Sequence, residues 1–529
     1  MRWVPPDGWR VAATQDPHLR GAPQRMRWTP RYAGMALPYL ATGTGRDRGM
    51  SEDRSMLQRE PATPADDGGA GSDSGLRGGR LSFTEVLGHA VANITPSAMA
   101  AVTISLVAAN AGTLTWLVYL VVGALMLLVA GQVARLARHA PAAGSLFVYL
   151  SRALHPVAGI VAGWAMVGGY LGALLAAPVL GGVFAAKALA VLHLIVPAWA
   201  IGLALAAIAW SLAVRDVELA ARYGLVVEGF SIACIVAIGV VVFVRHGFID
   251  PAQLDVSRID RHGFFLACML TVLAYGGFET AGNLARERRG SEKTVPRAIL
   301  LSVVVVGVFF VFMAYAEVLG FSDDTMLLGR TTAPLNLIAA RNDVPWLAVF
   351  SDLAMAAAAF SACVATLNSI SRVLYSMARH GVLPRILAQV HPRHRTPTPA
   401  LHLLGVAMIG FVMFMAVSHA PVLVAVNLFG IFTAMGFLVI YSLACIAAPR
   451  YLWRLTGRPP LGSLLATLVG LPVLLYVLWG NLYPFPSSSQ GLVTALFLVY
   501  LLSGVVVFAW IHRRHPQRVA AMVQGLAGD

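Results

Sequence analysis

Charge is what this 529-residue sequence has least of: Asp, Glu, Lys and Arg make up 12% of it, against 58% hydrophobic residues. Soluble domains carry about 25% charged residues, so a chain this poor in charge cannot clothe its apolar surface as a water-soluble globule must. Lysine is nearly missing, present only at positions 187 and 293, and the basic character rests on arginine. Cysteine is also rare. Cys234, Cys268, Cys363 and Cys445 all lie inside long apolar runs and form no C-x-x-C pair, which argues against a disulfide framework or a thiolate metal site. Neither an H-x-x-E-H spacing nor a G-x-S-x-G elbow occurs in an apolar run. The sequence therefore offers no constellation for a membrane-embedded enzyme, and no cofactor or metal is expected.

Apolar length is present in abundance. A spanning helix needs about 20 mostly apolar residues, and twelve runs qualify: 86–109, 114–136, 157–180, 194–214, 223–244, 264–284, 299–319, 346–370, 401–417, 422–447, 464–478 and 492–511. The expected fold is an all-α integral membrane protein of about twelve transmembrane helices. The formal net charge of +14 could suggest nucleic acid, but its placement says otherwise. With a cytoplasmic amino terminus, 21 basic residues fall on the inner side, among them Arg286, Arg288, Arg289, Lys293 and Arg297 in one loop and Arg372, Arg379, Arg385, Arg393 and Arg395 in another. Only six fall outside, at Lys187, Arg245, Arg258, Arg261, Arg330 and Arg341, and the other twelve precede Leu81. That asymmetry follows the positive-inside rule. It places both termini in the cytoplasm, makes the anionic leaflet of a plasma (bacterial inner) membrane the partner of the charge, and leaves nucleic-acid binding unsupported.

The domain order expected is a disordered cytoplasmic tail over 1–80, a transmembrane domain over 81–512 and a short cytoplasmic tail over 513–529. The first segment is rich in Pro, Gly, Asp and Arg and has no apolar run, nor a signal-peptide core. Met50 lies within it as a second candidate start.

Function is sought where the apolar pattern is violated. The first span carries His89, Asn93, Thr95 and Pro96 at mid-membrane depth. Pro96 cannot donate to the helical ladder and disfavours helical geometry at Thr95, so a break is expected, with a simple Pro kink as the alternative. In hydrocarbon, freed backbone groups must face protein or a water-filled cavity, so an unwound segment implies a lined site. The sixth span carries the second violation, Gly276-Gly277 within Tyr275-Gly276-Gly277-Phe278-Glu279. Five spans separate the breaks, the spacing of two five-helix inverted repeats, here about 83–245 and 263–447, with extra helices at about 464–511. Half-helix amino termini then offer free amides to an anion and unwound carbonyls can hold a cation, which fits a zwitterionic or aminated solute. Glu228, Glu279 and Glu317 are ionisable groups inside spans and hence functional candidates by default. Glu279 is favoured as proton carrier or substrate-amine partner. Glu228 could relay protons or simply bond a neighbouring helix, Glu317 is read as structural, and His89 is left unassigned. Polar residues cluster at the two breaks rather than along a stripe, which argues against a channel.

Two stretches resemble the amino acid-polyamine-organocation permeases. One runs from Tyr275-Gly276-Gly277-Phe278-Glu279 through Glu287 to Thr294-Val295-Pro296-Arg297-Ala298-Ile299. The other is Asn368-Ser369-Ile370-Ser371-Arg372-Val373-Leu374-Tyr375-Ser376-Met377-Ala378-Arg379 with Gly381-Val382-Leu383-Pro384 and Val390-His391-Pro392-Arg393. Pro141, Ala143, Gly144 and Tyr149 are similar to the family's inner-loop motif. The resemblance covers roughly Leu81 to Ile511. It implies a five-plus-five inverted-repeat fold with helices 1 and 6 interrupted, and uptake or exchange of amino acids, amines or polyamines, commonly with protons. It maps the substrate segment onto Asn93, Ile94, Thr95, Pro96, Ser97 and Ala98, and onto Tyr275, Gly276, Gly277, Phe278 and Glu279. The chain departs from relatives in three places. Pro96-Ser97-Ala98 stands where many have a Gly-rich run whose amides hold a substrate carboxylate, and Pro96 has no amide, which moves the expectation toward amines. Ser231 stands where some place a coupling lysine, and Ser291 where many have Pro. A sensor retaining a transporter fold, and a permease for another organic cation, are the competing expectations.

Overall fold

A computed structural model describes residues 79, 81–139, 144–215, 217–258, 260–331, 333–482 and 489–514. The expected disordered tail, Met50, Pro141, Ala143 and most of the carboxyl-terminal tail lie outside the described residues. Eleven helical segments among them are long and apolar enough to cross a bilayer. One, Phe83–His139, has 57 residues; at about 1.5 Å per residue it is more than twice as long as a ~30 Å hydrocarbon core is thick. It therefore supplies two spans, and the twelve read from the sequence are all present.

The first span is two helices, α1 (Phe83–Ile94) and α2 (Pro96–Ala111). Ser82 starts α1 with a capping box, its side chain accepting from the Glu85 amide while Glu85 accepts from the Ser82 amide at 2.8 Å. Pro96 stops it. Thr95 sits at φ 50°, ψ 56°, in the left-handed region a non-glycine residue rarely enters, and Pro96 then occupies the first position of α2, where its missing N–H costs nothing. There follow α3 (Thr115–His139), α4 (Leu146–Ala153), α5 (Pro156–Val191), α6 (Ala198–Arg215) and α7 (Val217–His246).

The sixth span opens as α8 (Arg261–Ala274), N-capped by Asp260, and ends at the glycines. Gly277 has φ 115°, and beyond it Phe278–Leu284 is a 3-10 helix rather than α. The second half continues with α9 (Thr294–Gly320), α10 (Trp346–Arg379), α11 (Thr398–Ser418), α12 (Val422–Thr456), α13 (Leu461–Leu482) and α14 (Ser489–Arg514). All four cysteines are free and lie in helices, Cys363 and Cys445 buried and Cys234 and Cys268 half-buried.

Small residues set how closely the helices meet. A methyl on Gly436 of α12 would lie 2.7 Å from the Ala165 carbonyl oxygen and 3.0 Å from the Gly169 Cα of α5. One on Gly172 would meet the Phe429 carbonyl at 2.9 Å. Backbone thus rests on backbone along the α5–α12 seam, and the Thr433 hydroxyl spans it to donate to the Gly169 carbonyl at 2.9 Å.

Candidate functional site

The two breaks touch. A methyl on Gly277 would come within 2.9 Å of the Asn93 carbonyl carbon and oxygen and 3.0 Å of the Ile94 nitrogen, so only glycine lets the sixth span lie against the end of α1. Both stretches mapped from sequence are therefore neighbours. Tyr275, Gly276, Gly277, Phe278 and Glu279 are buried, as are Ile94, Thr95, Pro96, Ser97 and Ala98; Asn93 alone keeps partial exposure.

Glu279 is held by two tyrosines the sequence did not single out. Tyr170 of α5 donates to its Oε1 at 2.7 Å, and Tyr441 of α12 donates to its Oε2. The Tyr441 oxygen in turn accepts the Gly277 amide at 3.0 Å, so one hydroxyl satisfies both a backbone donor freed by the break and the buried carboxylate beside it. Phe278 stacks on the Tyr441 ring with centroids 4.8 Å apart, and Tyr170 packs edge-on against Phe437. Tyr275 points elsewhere, donating to the Tyr119 carbonyl at 2.8 Å.

Glu228 approaches the other break. From α7 it receives the Ser97 hydroxyl on Oε1 at 2.8 Å, with the Ser97 amide facing the same carboxylate. The start of α2 is thus met by a side-chain anion from within the protein, in the position the half-helix was expected to offer to a ligand. The second oxygen, Oε2, is buried and finds no hydrogen-bond partner among the described residues. Of the two roles open for Glu228 in the sequence, bonding to a neighbouring helix is present in the structure. Ser231 lies one turn on and donates to the Ala354 carbonyl of α10 at 2.8 Å.

Asn93 and His89 tie α1 to α10: His89 Nε2 lies 3.0 Å from the Ser369 hydroxyl, and Thr366 donates to Asn93 Oδ1 at 3.3 Å. Below them Arg372, fully buried, binds Glu287 through both Nε and Nη2, the latter at 3.0 Å, and gives Nη1 to the Asn368 carbonyl at 2.8 Å. Glu287 also brings its loop to the chain entering α1, where the Leu81 amide donates to the Glu287 carbonyl at 3.0 Å and the Arg289 amide to the Leu81 carbonyl at 2.7 Å. Both partners of this pair stand in the quoted motifs, but nothing in the sequence joined them. Glu317 is fully buried in α9, and neither carboxyl oxygen has a hydrogen-bond partner among the described residues.

A sequence profile of the amino acid permease family matches residues 88–518. An uncharacterized transporter of Mycobacterium tuberculosis is 30% identical over 361 residues, 68% of this chain and 76% of that protein. The low-affinity putrescine importer PlaP of Escherichia coli is 26% identical over 282 residues, 51% of this chain and 61% of its own. The large neutral amino acids transporter small subunit 2 of Homo sapiens is 23% identical over 314 residues, covering 58% of this chain and 54% of its own.

Proposed function

Because this chain belongs to the amino acid permease family, and so is a multi-pass membrane transporter, we propose that it is a secondary active transporter of a small amine. Substrate binds where the two breaks meet, and alternating access exposes that place to one side at a time. The observation that carries the choice of an amine is Glu228. Its carboxylate already faces the start of α2, so a substrate carboxylate would have to displace it, while an ammonium would satisfy the unpartnered Oε2. The putrescine importer among the relatives supports the same class. Asn93, through its partial exposure, and the residues from Ile94 to Ala98 and Tyr275 to Glu279 form the rest of the site.

Protons are the proposed coupling ion and Glu279 their carrier. Tyr441 accepts from the Gly277 amide, so its own proton points to Glu279 Oε2 in either charge state. The Tyr170 bond is free to reverse: a carboxylate accepts it, and a protonated Oε1 donates along the same 2.7 Å line. Glu279 can therefore gain and lose a proton without loss of its position. The basic inner loops support a plasma-membrane orientation with both termini cytoplasmic.

Proteoliposomes with an imposed pH gradient test this. Radiolabelled putrescine should accumulate in the wild type, Glu228→Gln should abolish uptake, and Glu279→Gln should leave counterflow while removing its dependence on the gradient. Accumulation of neutral amino acids with no uptake of any amine would discard the substrate class. Unchanged gradient-driven uptake by Glu279→Gln would discard the carrier.

A further inference from the structure

The transport site leaves unused a groove of about 350 Å³ between the end of α3 and the starts of α9 and α13. One wall is a stripe along α3: Leu127, Leu128, Gly131, Arg135 and Arg138, positions that recur on one face of a helix. Leu300 of α9 forms part of the opposite wall, and no acidic residue among the described residues lines the groove. Arg135 is fixed in place, donating to Gln132 Oε1 at 3.2 Å, while Gln132 is itself anchored to α13 through the Ser463 hydroxyl and carbonyl at 2.6 and 2.8 Å. Gly131 is the notch that keeps the groove open, since a Cβ there would approach nothing closer than Arg135 Nη1 at 3.7 Å.

From Leu128 to Arg138 the helix rises about 15 Å, half of a ~30 Å hydrocarbon core. The stripe thus presents two positive charges at one end, Arg135 anchored and Arg138 exposed, and exposed leucines one leaflet's depth away at the other. A free phosphate would use only the arginines and a neutral lipid only the leucines. We propose that this groove is a binding site for one anionic phospholipid, with its headgroup phosphate on Arg135 and Arg138 and an acyl chain along Leu127, Leu128 and Leu300. The site is separate from the transport pathway and does not depend on the substrate assigned above.

Native mass spectrometry of the full chain in detergent, titrated with phosphatidylglycerol or phosphatidylcholine, reads the site directly. Phosphatidylglycerol should be retained as a single tight adduct and phosphatidylcholine should not. Each cation near a membrane surface contributes roughly fivefold to anion affinity, so Arg135→Gln with Arg138→Gln should weaken retention roughly thirtyfold. Gly131→Leu, which fills the notch and keeps every charge, should also lower it, whereas Arg385→Gln with Arg395→Gln on the loop between α10 and α11 should not. The exposed Arg138→Gln alone gives the same sign should the double variant fail to fold. Equal retention of the two lipids, wild-type retention by the α3 arginine variants or by Gly131→Leu, or displacement of the adduct by excess inorganic phosphate would each overturn the proposal.

Discussion

Removing one oxygen atom from Tyr441 should cost far more than an ordinary hydrogen bond between membrane helices. Tyr441→Phe keeps the ring that stacks on Phe278 at 4.8 Å, so packing is conserved and only the hydroxyl is lost. A typical interhelical hydrogen bond in a bilayer contributes about 0.6 kcal/mol, because the groups find other partners when it breaks. Here two buried groups lose their partner at once, the Gly277 amide and Glu279 Oε2, and both are closed off from solvent in this conformation. At about 1–3 kcal/mol for each orphaned buried group, the expected destabilisation is about 3 kcal/mol. The assay is unfolding of the purified protein in mixed detergent–dodecyl sulfate micelles, with Tyr170→Phe and the double variant completing a cycle. Because both tyrosines donate to the same carboxylate, the two effects should fail to add by at least about 0.5 kcal/mol. A loss below about 1 kcal/mol for Tyr441→Phe, or strict additivity, would refute the view that one carboxylate organises the sixth-span break.

Three further outcomes follow from the geometry. Gly277→Ala should abolish transport and destabilise by more than about 2 kcal/mol, because φ is 115° and the added methyl meets the Asn93 backbone; Gly290→Ala, at φ 86° with open space around it, should cost only about 1 kcal/mol in the same unfolding assay. Glu287→Gln should destabilise by about 3–5 kcal/mol by leaving the Arg372 guanidinium buried without its counter-charge, and Glu287→Leu with Arg372→Met should recover most of that loss; thermal melts of the three proteins in one detergent decide it. Glu317→Leu should raise stability by about 1–3 kcal/mol, since neither carboxyl oxygen is hydrogen-bonded within the described chain, and a fall in melting temperature would reveal a bound water or ion as its partner.

The spans were legible because a bilayer imposes a single length scale, so twelve apolar runs translate directly into twelve spans. The breaks were legible for a local reason: Pro96 and Gly276-Gly277 act on their own backbone, and the left-handed Thr95 and Gly277 lie where chain chemistry alone puts them. Partnerships were not legible. Glu279 was singled out as an ion in hydrocarbon, but Tyr170 and Tyr441 sit 109 and 162 residues away along the chain, and no periodicity links them. A weaker signal existed, since a tyrosine deep in an apolar span must find an acceptor for its hydroxyl. Glu228 shows the same limit from the other side. Its cost in a span was evident, whereas its place against Ser97 depends on how α7 packs beside α2.

The glycine seam between α5 and α12 divides the molecule into parts that can and cannot slide. Backbones in direct contact at Gly169 and Gly436 leave no side-chain layer to shear, and the two helices also share the Glu279 carboxylate through Tyr170 and Tyr441. The seam thus ties α5, α12 and the Glu279 carboxylate together, a chassis that joins the first half of the chain to the second. α1 meets α10 differently, through His89, Asn93, Thr366 and Ser369, whose hydrogen bonds can be exchanged for water one at a time. In the alternating-access cycle proposed above, α1 and α10 therefore part beside Asn93, the one partly exposed residue of the breaks.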